Sequence, residues 1–215
     1  MFDVIKSGER LYFTCEKHVP GERFAVPLNN TKVQLPIINA GSGLSCPNRA
    51  KCPFSLENYK KTGYPRCYAQ DGENRFKSIR ESKEKNTSML LALSERQTIH
   101  LAGDIADALA IYAPFTPWIR INEAHDLSND NIMFFVYLQK ALDRYGKKLY
   151  GYTKSSPGLK NALKSVGSVI IESEKDFVMV RTKEEADKLG LPLCPGICGP
   201  CTRCMEGLRT AVIGH

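Results

Sequence analysis

Residues 117–156 read PWIRINEAHDLSNDNIMFFVYLQKALDRYGKKLYGYTKSS and contain the pattern that decides the fold. Residues 118–122 form a short apolar run that predicts a buried strand, and residues 148–152 form a second one. Between them Ser128 can cap a helix, which Gly146 would end. A strand, a helix and a strand in this order predict two parallel strands joined by a right-handed crossover.

The same alternation continues beyond this segment in both directions. The predicted elements are, in chain order, a β-hairpin within 1–30, a strand at 32–38, helices at 73–85 and 88–113, a helix at 157–164, strands at 168–171 and 177–180, and a helix at 183–189. The second long helix is expected to be interrupted near Gly103 and Asp104. Together these elements predict an α/β protein with a partial (β/α) barrel or an open, mainly parallel sheet.

The chain is predicted to be one α/β domain over residues 1–215, because a chain of this length can bury a substantial core without cross-links. Residues 1–30 would supply the N-terminal strands of the hairpin. Residues 191–215 would form a Cys-rich metal-binding tail that packs on the same domain.

The composition indicates the class of binding partner and the cellular compartment. Thirty Lys and Arg against twenty-three Asp and Glu give a net charge of +7, which mildly favours a polyanionic partner. The first ten residues lack the apolar core of a signal peptide, and the longest apolar stretches, at 89–93 and 106–113, are too short to cross a bilayer. We therefore expect no membrane association and a cytoplasmic location, where thiols stay reduced.

Seven of the eight cysteines fall into two groups with metal-ligand spacing. The groups are Cys46-x5-Cys52-x14-Cys67 and Cys194-x3-Cys198-x2-Cys201-x2-Cys204. Reduced thiols in such groups are typical of sites for zinc or iron–sulfur clusters. The second group resembles the ferredoxin-like runs that hold a [4Fe–4S] cluster. The sequence thus predicts [4Fe–4S] binding at one or two centres, with zinc as the alternative.

Polar side chains follow each predicted strand. They are Asn122, Glu123 and Asp126 after the first strand, Lys154 after the second, Glu172 after the third and Arg181 after the fourth. Because ligands of parallel α/β folds bind at the carboxyl ends of the strands, these residues are expected to converge on one rim. There Asn122, Glu123, Asp126, Lys154 and Glu172 would bind a small molecule such as S-adenosylmethionine, or a nucleic-acid substrate, and these five are the candidate catalytic residues. Of them, Asn122, Lys154 and Glu172 are predicted to bind the cofactor.

The order of the motifs resembles a known family. The matching blocks are Asn30-Thr31-Lys32, Leu35-Pro36, Ser45-Cys46-Pro47, Cys52, Cys67-Tyr68-Ala69, Arg120-x-Asn122, Tyr152-Thr153-Lys154-Ser155 and Cys194-Pro195 with Cys201 and Cys204. They are similar to those of the gene product 88 family of phages and plasmids, from about Asn30 to the C-terminus. His125 stands where that family is expected to have glycine. The resemblance implies a protein of a phage or another mobile element, linked to replication and placed in the host cell cytosol.

A more distant resemblance is to the partial barrels of radical S-adenosylmethionine enzymes, in which a three-cysteine [4Fe–4S] cluster follows the first strand. Here the strand would be 32–38, and Cys46, Cys52 and Cys67 would follow it at a wider spacing than is usual there. This resemblance implies an iron–sulfur enzyme that acts on nucleic acid or a nucleotide.

A second hypothesis involves no catalysis. The cysteines would hold structural zinc, and Arg75, Lys77, Arg80 and Lys154 would contact the phosphates of DNA. The basic segment around Arg80 also fits a solvated helix face, because opposite charges recur in it at helical spacing. The sequence leaves these alternatives open and does not indicate the oligomeric state.

Overall fold

The structure is a computed structural model that describes residues 1–29, 34–52, 55–62, 67–122, 125–172, 175–198 and 200–213. Its strands are β1 Asp3–Ser7, β2 Arg10–Thr14, β3 Arg23–Pro27, β4 Ile37–Ile38, β5 Trp118–Ile121, β6 Lys148–Thr153, β7 Val169–Glu172, β8 Phe177–Val180 and β9 Thr210–Ile213. Its α-helices are α1 Tyr59–Thr62, α2 Tyr68–Arg75, α3 Lys77–Ala92, α4 Glu95–Tyr112, α5 Ile132–Leu142, α6 Pro157–Lys164 and α7 Lys183–Lys188.

A four-stranded parallel sheet forms the centre of the fold. Its strand order is β4-β5-β6-β7, with Ile37 opposite Arg120, Trp118 opposite Lys148 and Tyr150 opposite Val169. The α/β prediction with a mainly parallel sheet is therefore confirmed, as an open sheet in which α5 and α6 supply the crossovers. The strand predicted at 32–38 is reduced to β4, and residues 30–33 lie outside the described part of the chain.

Helices cover one face of this sheet. Ile38, Ile119, Leu149 and Ile170 point to that side and belong to the main hydrophobic core, which α4 and α5 complete with the buried side chains Leu101, Ile105, Leu109, Phe135 and Leu138. Neighbouring residues of a strand point to opposite faces, so Ile37, Tyr150 and Ile171 face the other side. That second face packs against Met205 and the half-buried Cys198 and Cys204, which lie in the Cys-rich segment.

The N-terminal strands form a three-stranded antiparallel sheet in the order β1-β2-β3, one strand more than the predicted hairpin. Leu11, Phe13, Phe24 and Val26 point inward and join the main core. The buried Asn86 side chain of α3 connects this sheet to the parallel one. It accepts a hydrogen bond from the Ala25 backbone amide and donates to the carbonyl oxygens of Ala25 and Asn39.

Three predicted helix boundaries are wrong. Ser128 does not cap the helix before β6, because α5 begins at Ile132 with Asn131 at its N-cap position. The long helical region breaks at Leu93 and Ser94, not near Gly103 and Asp104, because Ser94 forms a capping box with Gln97 that starts α4. Gly103 lies inside α4, where no atom would meet an added Cβ. The helix predicted at 73–85 spans the break at Phe76, which separates α2 from α3.

The predicted sheet of the fourth strand, 177–180, is also wrong. β8 has the predicted bounds, but it pairs in parallel with β9 in a separate two-stranded sheet. Arg181 therefore does not extend the rim of the parallel sheet, and Thr182 serves as the N-cap of α7. The division into a single domain with a tail at 191–215 stays a prediction. Among the described helices, none combines the length and the apolar composition that crossing a bilayer demands.

Candidate metal centre

Two cysteines of the group Cys46, Cys52 and Cys67 lie in one loop. The loop follows β4 and carries Cys46 and Cys52, so it begins at the carboxyl edge of the parallel sheet. Consecutive tight turns shape it, with hydrogen bonds from the Arg49 amide to the Cys46 carbonyl and from the Cys52 amide to the Asn48 carbonyl. The third cysteine, Cys67, is the residue that immediately precedes α2, in an extended conformation.

Two side chains of α2 connect that helix to the loop. The Glu73 carboxylate is fully buried and accepts hydrogen bonds from the Gly43 and Leu44 amides and from the Lys83 ammonium. The Gln70 amide group accepts from the Leu56 amide and donates to the Gly43 carbonyl. Because α2 begins next to Cys67, these bonds fix the position of Cys67 relative to the loop that carries Cys46 and Cys52.

Asp126 fixes the same loop to the ends of the strands. Its buried carboxylate accepts hydrogen bonds from five groups, which are the side chains of Asn48, Thr153 and Ser155 and the amides of Leu127 and Lys154. Asn48 belongs to the cysteine loop, whereas Thr153 ends β6 and Lys154 and Ser155 follow it. Both oxygens of Asp126 are thus engaged by the protein, which makes this residue a positioning group for Cys46 and Cys52.

The thiols of this group influence one another. Burial raises the pKa of Cys46, the amides of Asn48 and Asp126 oppose the rise, and charges on Asp126 and Cys52 add to it. Burial also raises the pKa of Cys67, the amides of Gln70 and Ala69 oppose it, and charges on Cys52 and Glu73 add to it. Cys52 therefore lies within electrostatic reach of both other cysteines.

A cation also faces this group. The Lys154 Nζ atom lies 3.9 Å from the Cys52 Sγ atom. An ammonium group at this position can offset the negative charge of a metal-bound cysteine. Among the residues that the structure describes, no three His, Cys, Asp or Glu side chains stand close enough together to hold a metal ion as they are placed.

The model of the gene product 88 family matches residues 16–169, which is well over half of the chain. The protein belongs to the gene product 88 family. No curated protein and no solved structure matches it significantly. The more distant resemblance to radical S-adenosylmethionine enzymes gains no support from these comparisons.

The part of the chain that matches the gene product 88 model contains Cys46, Cys52 and Cys67 together with the residues that position them. Asn122, Asp126 and Lys154 also lie within it. Glu172 and the four cysteines at 194–204 lie beyond its end. The candidate site at the strand ends therefore lies within the residues that match the gene product 88 model.

Asn122 supports the backbone at the carboxyl edge of the parallel sheet. It has a φ of 47°, a left-handed conformation that asparagine tolerates better than most residues. Its side chain accepts a hydrogen bond from the Ala40 amide and donates to the Asp126 carbonyl, so it joins the ends of β4 and β5. Glu123 lies outside the described residues.

Glu172 has local partners at the end of β7. Its carboxylate pairs with Lys160 at 3.0 Å and Lys164 at 3.7 Å, both in α6. The hydrogen bond from Lys160 is the main reason that the pKa of Glu172 is lowered. A role of Glu172 in binding a cofactor stays a prediction.

That the gene product 88 family has glycine at the position of His125 stays a prediction; in the structure His125 lies at the end of the parallel sheet, against Gly41. Its ring packs against Gly41, which has a φ of 133°, and a Cβ at Gly41 would meet the ring at 2.2 Å. The two ring nitrogens face the carbonyl oxygens of Asp126 and Ser45. Burial lowers the pKa of His125. This residue closes the start of the cysteine loop over the strand ends.

The four C-terminal cysteines form a second group on the other face of the sheet. The pKa of Cys194 is raised first by burial and then by charges on the remaining three thiols, Cys204, Cys198 and Cys201. Cys198 and Cys201 also form an isolated β-bridge. The charges of the three other thiols thus reach Cys194, but as the described side chains are placed they do not stand close enough together to hold a metal ion.

Two tyrosines of β6 form the floor beneath this second group. Burial raises the pKa of Tyr150 and of Tyr152, with further upward contributions from Cys198 and Cys204, so both hydroxyls remain protonated. The Tyr150 hydroxyl is buried and has no hydrogen-bond partner among the described residues. A protonated hydroxyl beside sulfur is a donor that a metal-bound thiolate can accept, and such bonds tune metal–sulfur centres.

Several of these positioning residues are absent from the sequence prediction. Asn48, Gln70 and Glu73 carry no motif of their own, and their partners lie up to 107 positions away along the chain. Ser155 has a signal, since it ends the Tyr-Thr-Lys-Ser block that the gene product 88 resemblance uses. Its hydroxyl donates to the Asp126 carboxylate and contacts the Leu127 carbonyl.

Proposed function

We propose that this protein is an iron–sulfur protein of a phage or another mobile element, with a [4Fe–4S] cluster on Cys46, Cys52 and Cys67. The observation that carries the proposal is the placement of Cys46 and Cys52 in one loop at the carboxyl edge of the parallel sheet, where the Lys154 Nζ atom lies 3.9 Å from the Cys52 Sγ atom. Three thiolates with backbone amides beside them are a suitable donor set for such a cluster.

A cluster with three cysteine ligands retains one iron site for a small molecule. S-adenosylmethionine is our candidate for that molecule, and nucleic acid or a nucleotide is the candidate substrate class. Lys154 would serve the site by placing its ammonium group beside Cys52, which offsets negative charge on the thiolates. Asn122 and Asp126 would keep the strand ends and the cysteine loop in register.

We assign a second metal centre to Cys194, Cys198, Cys201 and Cys204. Four thiolates complete the coordination of either a [4Fe–4S] cluster or a zinc ion, so this centre would be closed and structural. The buried Tyr150 hydroxyl supports the assignment, because a metal-bound thiolate of Cys198 would supply the acceptor that this hydroxyl needs. Reduced thiols at both centres fit a cytoplasmic location.

The first test is the metal content of protein purified without oxygen. We expect brown protein with about four iron and four sulfide ions at the first centre, and at the second either as many again or one zinc ion. The absorbance of an iron–sulfur protein at about 400 nm and its electron paramagnetic resonance after reduction report the cluster. Colourless protein that contains zinc alone and takes up no iron and sulfide under reducing conditions would contradict the iron–sulfur proposal.

Cysteine variants test whether the two centres are separate. Cys67→Ala is expected to remove the iron of the first centre and to leave the metal of the tail in place, and Cys201→Ala should have the reverse effect. Cys15→Ala is the matched control, since Cys15 is a buried thiol of the N-terminal core and should not affect metal content. Loss of all metal in either ligand variant would show one shared centre instead.

A further inference from the structure

A basic cleft lies between the N-terminal sheet and α3, away from the cysteines. Its volume is about 260 Å³, and it is lined by Arg10, Tyr12, Arg23, Ala25, Ser78, Glu81, Ser82 and Lys85. We propose that this cleft binds the phosphate backbone of single-stranded nucleic acid. The proposal does not depend on the metal centres.

The sheet supplies two cations and an aromatic ring to the cleft. Tyr12 and Arg10 share one face of β2, and Arg23 lies on the neighbouring strand β3, opposite Thr14. The Arg23 guanidinium lies 4.7 Å from the centre of the Tyr12 ring, so the aromatic ring orients it. A guanidinium group on an aromatic ring is a common contact for the bases and phosphates of single strands.

The helix supplies the opposite wall. Ser78, Ser82 and Lys85 recur at helical spacing along one side of α3, together with Glu81. The serine hydroxyls can donate hydrogen bonds to phosphate oxygens, and Lys85 adds a third positive charge. Glu81 is the one acid among the described residues of the cleft lining, and it pairs with Lys77 at 3.4 Å.

The charges of the cleft differ from those of the neighbouring helix face. Arg75, Lys77 and Arg80 each pair with an acid four residues away, at Asp71, Glu81 and Glu84. In the described part of the chain, no ion pair engages Arg10, Arg23 or Lys85. The cleft cations therefore have, within the described ranges, no acidic partner that competes with an anionic ligand, whereas each cation of the helix face already interacts with an acid.

The spacing of the cations favours a polymer over a single phosphate. Arg10 and the residue that faces Arg23 are four positions apart on β2, which separates them by about 13 Å along an extended strand. One phosphate group cannot meet cations at both ends of such a distance, but successive phosphates of one nucleic-acid strand can.

The test compares two triple variants that lose the same net charge. We expect Arg10→Gln/Arg23→Gln/Lys85→Gln to bind a fluorescent oligothymidylate of about 12 nucleotides roughly 100-fold more weakly than the unmodified protein at 0.1 M salt. The slope of log K against log salt should fall by about 2, since each single-strand phosphate contact contributes about 0.7. The control, Arg75→Gln/Arg80→Gln/Arg144→Gln, removes three ion-paired cations outside the cleft and should bind normally.

A variant that gains affinity tests whether misfolding, and not the lost charge, weakens binding in the triple variant. Glu81→Gln removes the acid of the cleft and should tighten binding by up to about fivefold, which a damaged protein would not do. Normal binding by the cleft variant, equal loss in the control variant, or no gain with Glu81→Gln would overturn the proposal. So would thymidine monophosphate that binds as tightly as the oligonucleotide, because the ligand would then be a small nucleotide.

Discussion

Replacement of Asp126 with alanine is expected to lower the free energy of unfolding by about 3–5 kcal/mol. The buried carboxylate accepts hydrogen bonds from five donors in the cysteine loop and at the ends of β5 and β6. Each donor left buried without an acceptor costs about 1–3 kcal/mol, and water that enters the space recovers part of this cost. The loop that carries Cys46 and Cys52 would also lose its attachment to the strand ends.

The unfolding energy of the Asp126→Ala variant can be measured by urea denaturation of the metal-free protein. Iron content after reconstitution should fall in parallel, because the two loop cysteines lose their fixed position. Asp130→Ala is the matched control, since Asp130 is an exposed acid close by in the sequence and should change stability by less than about 0.5 kcal/mol. An Asp126→Ala protein of normal stability that still takes up iron would refute the positioning role.

The second large effect is expected at Glu73. Glu73→Ala removes a carboxylate that is fully buried, leaves the Gly43 and Leu44 amides without an acceptor, and leaves the Lys83 ammonium group, which is 14% exposed, without its partner. Removal of one member of a buried ion pair costs about 3–5 kcal/mol. The resulting loop would no longer be fixed to α2, so Cys67 and Cys46 should separate.

Thermal and urea unfolding of the metal-free protein measure this effect. Glu81→Ala is the control, because its ion pair with Lys77 is exposed and should contribute less than about 0.5 kcal/mol. Lys83→Met in the Glu73→Ala background should recover part of the stability, since it removes the unpaired ammonium group. If Glu73→Ala and Glu81→Ala had equal effects, the buried pair would not hold the loop.

Elements set by local chemistry were predictable from the sequence. The helix from Pro157 to Lys164 has its predicted bounds because proline begins it, and the strand at 177–180 has its predicted bounds because both ends are polar. The sheet to which that strand belongs was not predictable. Its partner, β9, lies thirty positions later along the chain, and no periodicity encodes such a pairing.

In the candidate site, too, features set by local sequence were predictable and those set by distant contacts were not. Cysteine spacing and the polar strand ends predicted the thiols, Asp126 and Lys154 as site residues, which stays a prediction, and the structure places Lys154 next to Cys52. The function of Asp126 as a hydrogen-bond acceptor for five protein groups was hidden, since it depends on Asn48 at a distance of 78 positions. Glu73 was missed because a buried acid in a polar helix has the same sequence pattern as a surface acid.

The cover of the second sheet face has a consequence for synthesis of the chain. Ile37, Tyr150 and Ile171 are covered by a segment around Met205, which follows all four strands of the parallel sheet in sequence. Ribosomes add roughly 5–20 residues per second, so the apolar strands emerge seconds before their cover does. During that interval the nascent polypeptide exposes an apolar surface, and we expect chaperones that bind nascent chains to associate with it.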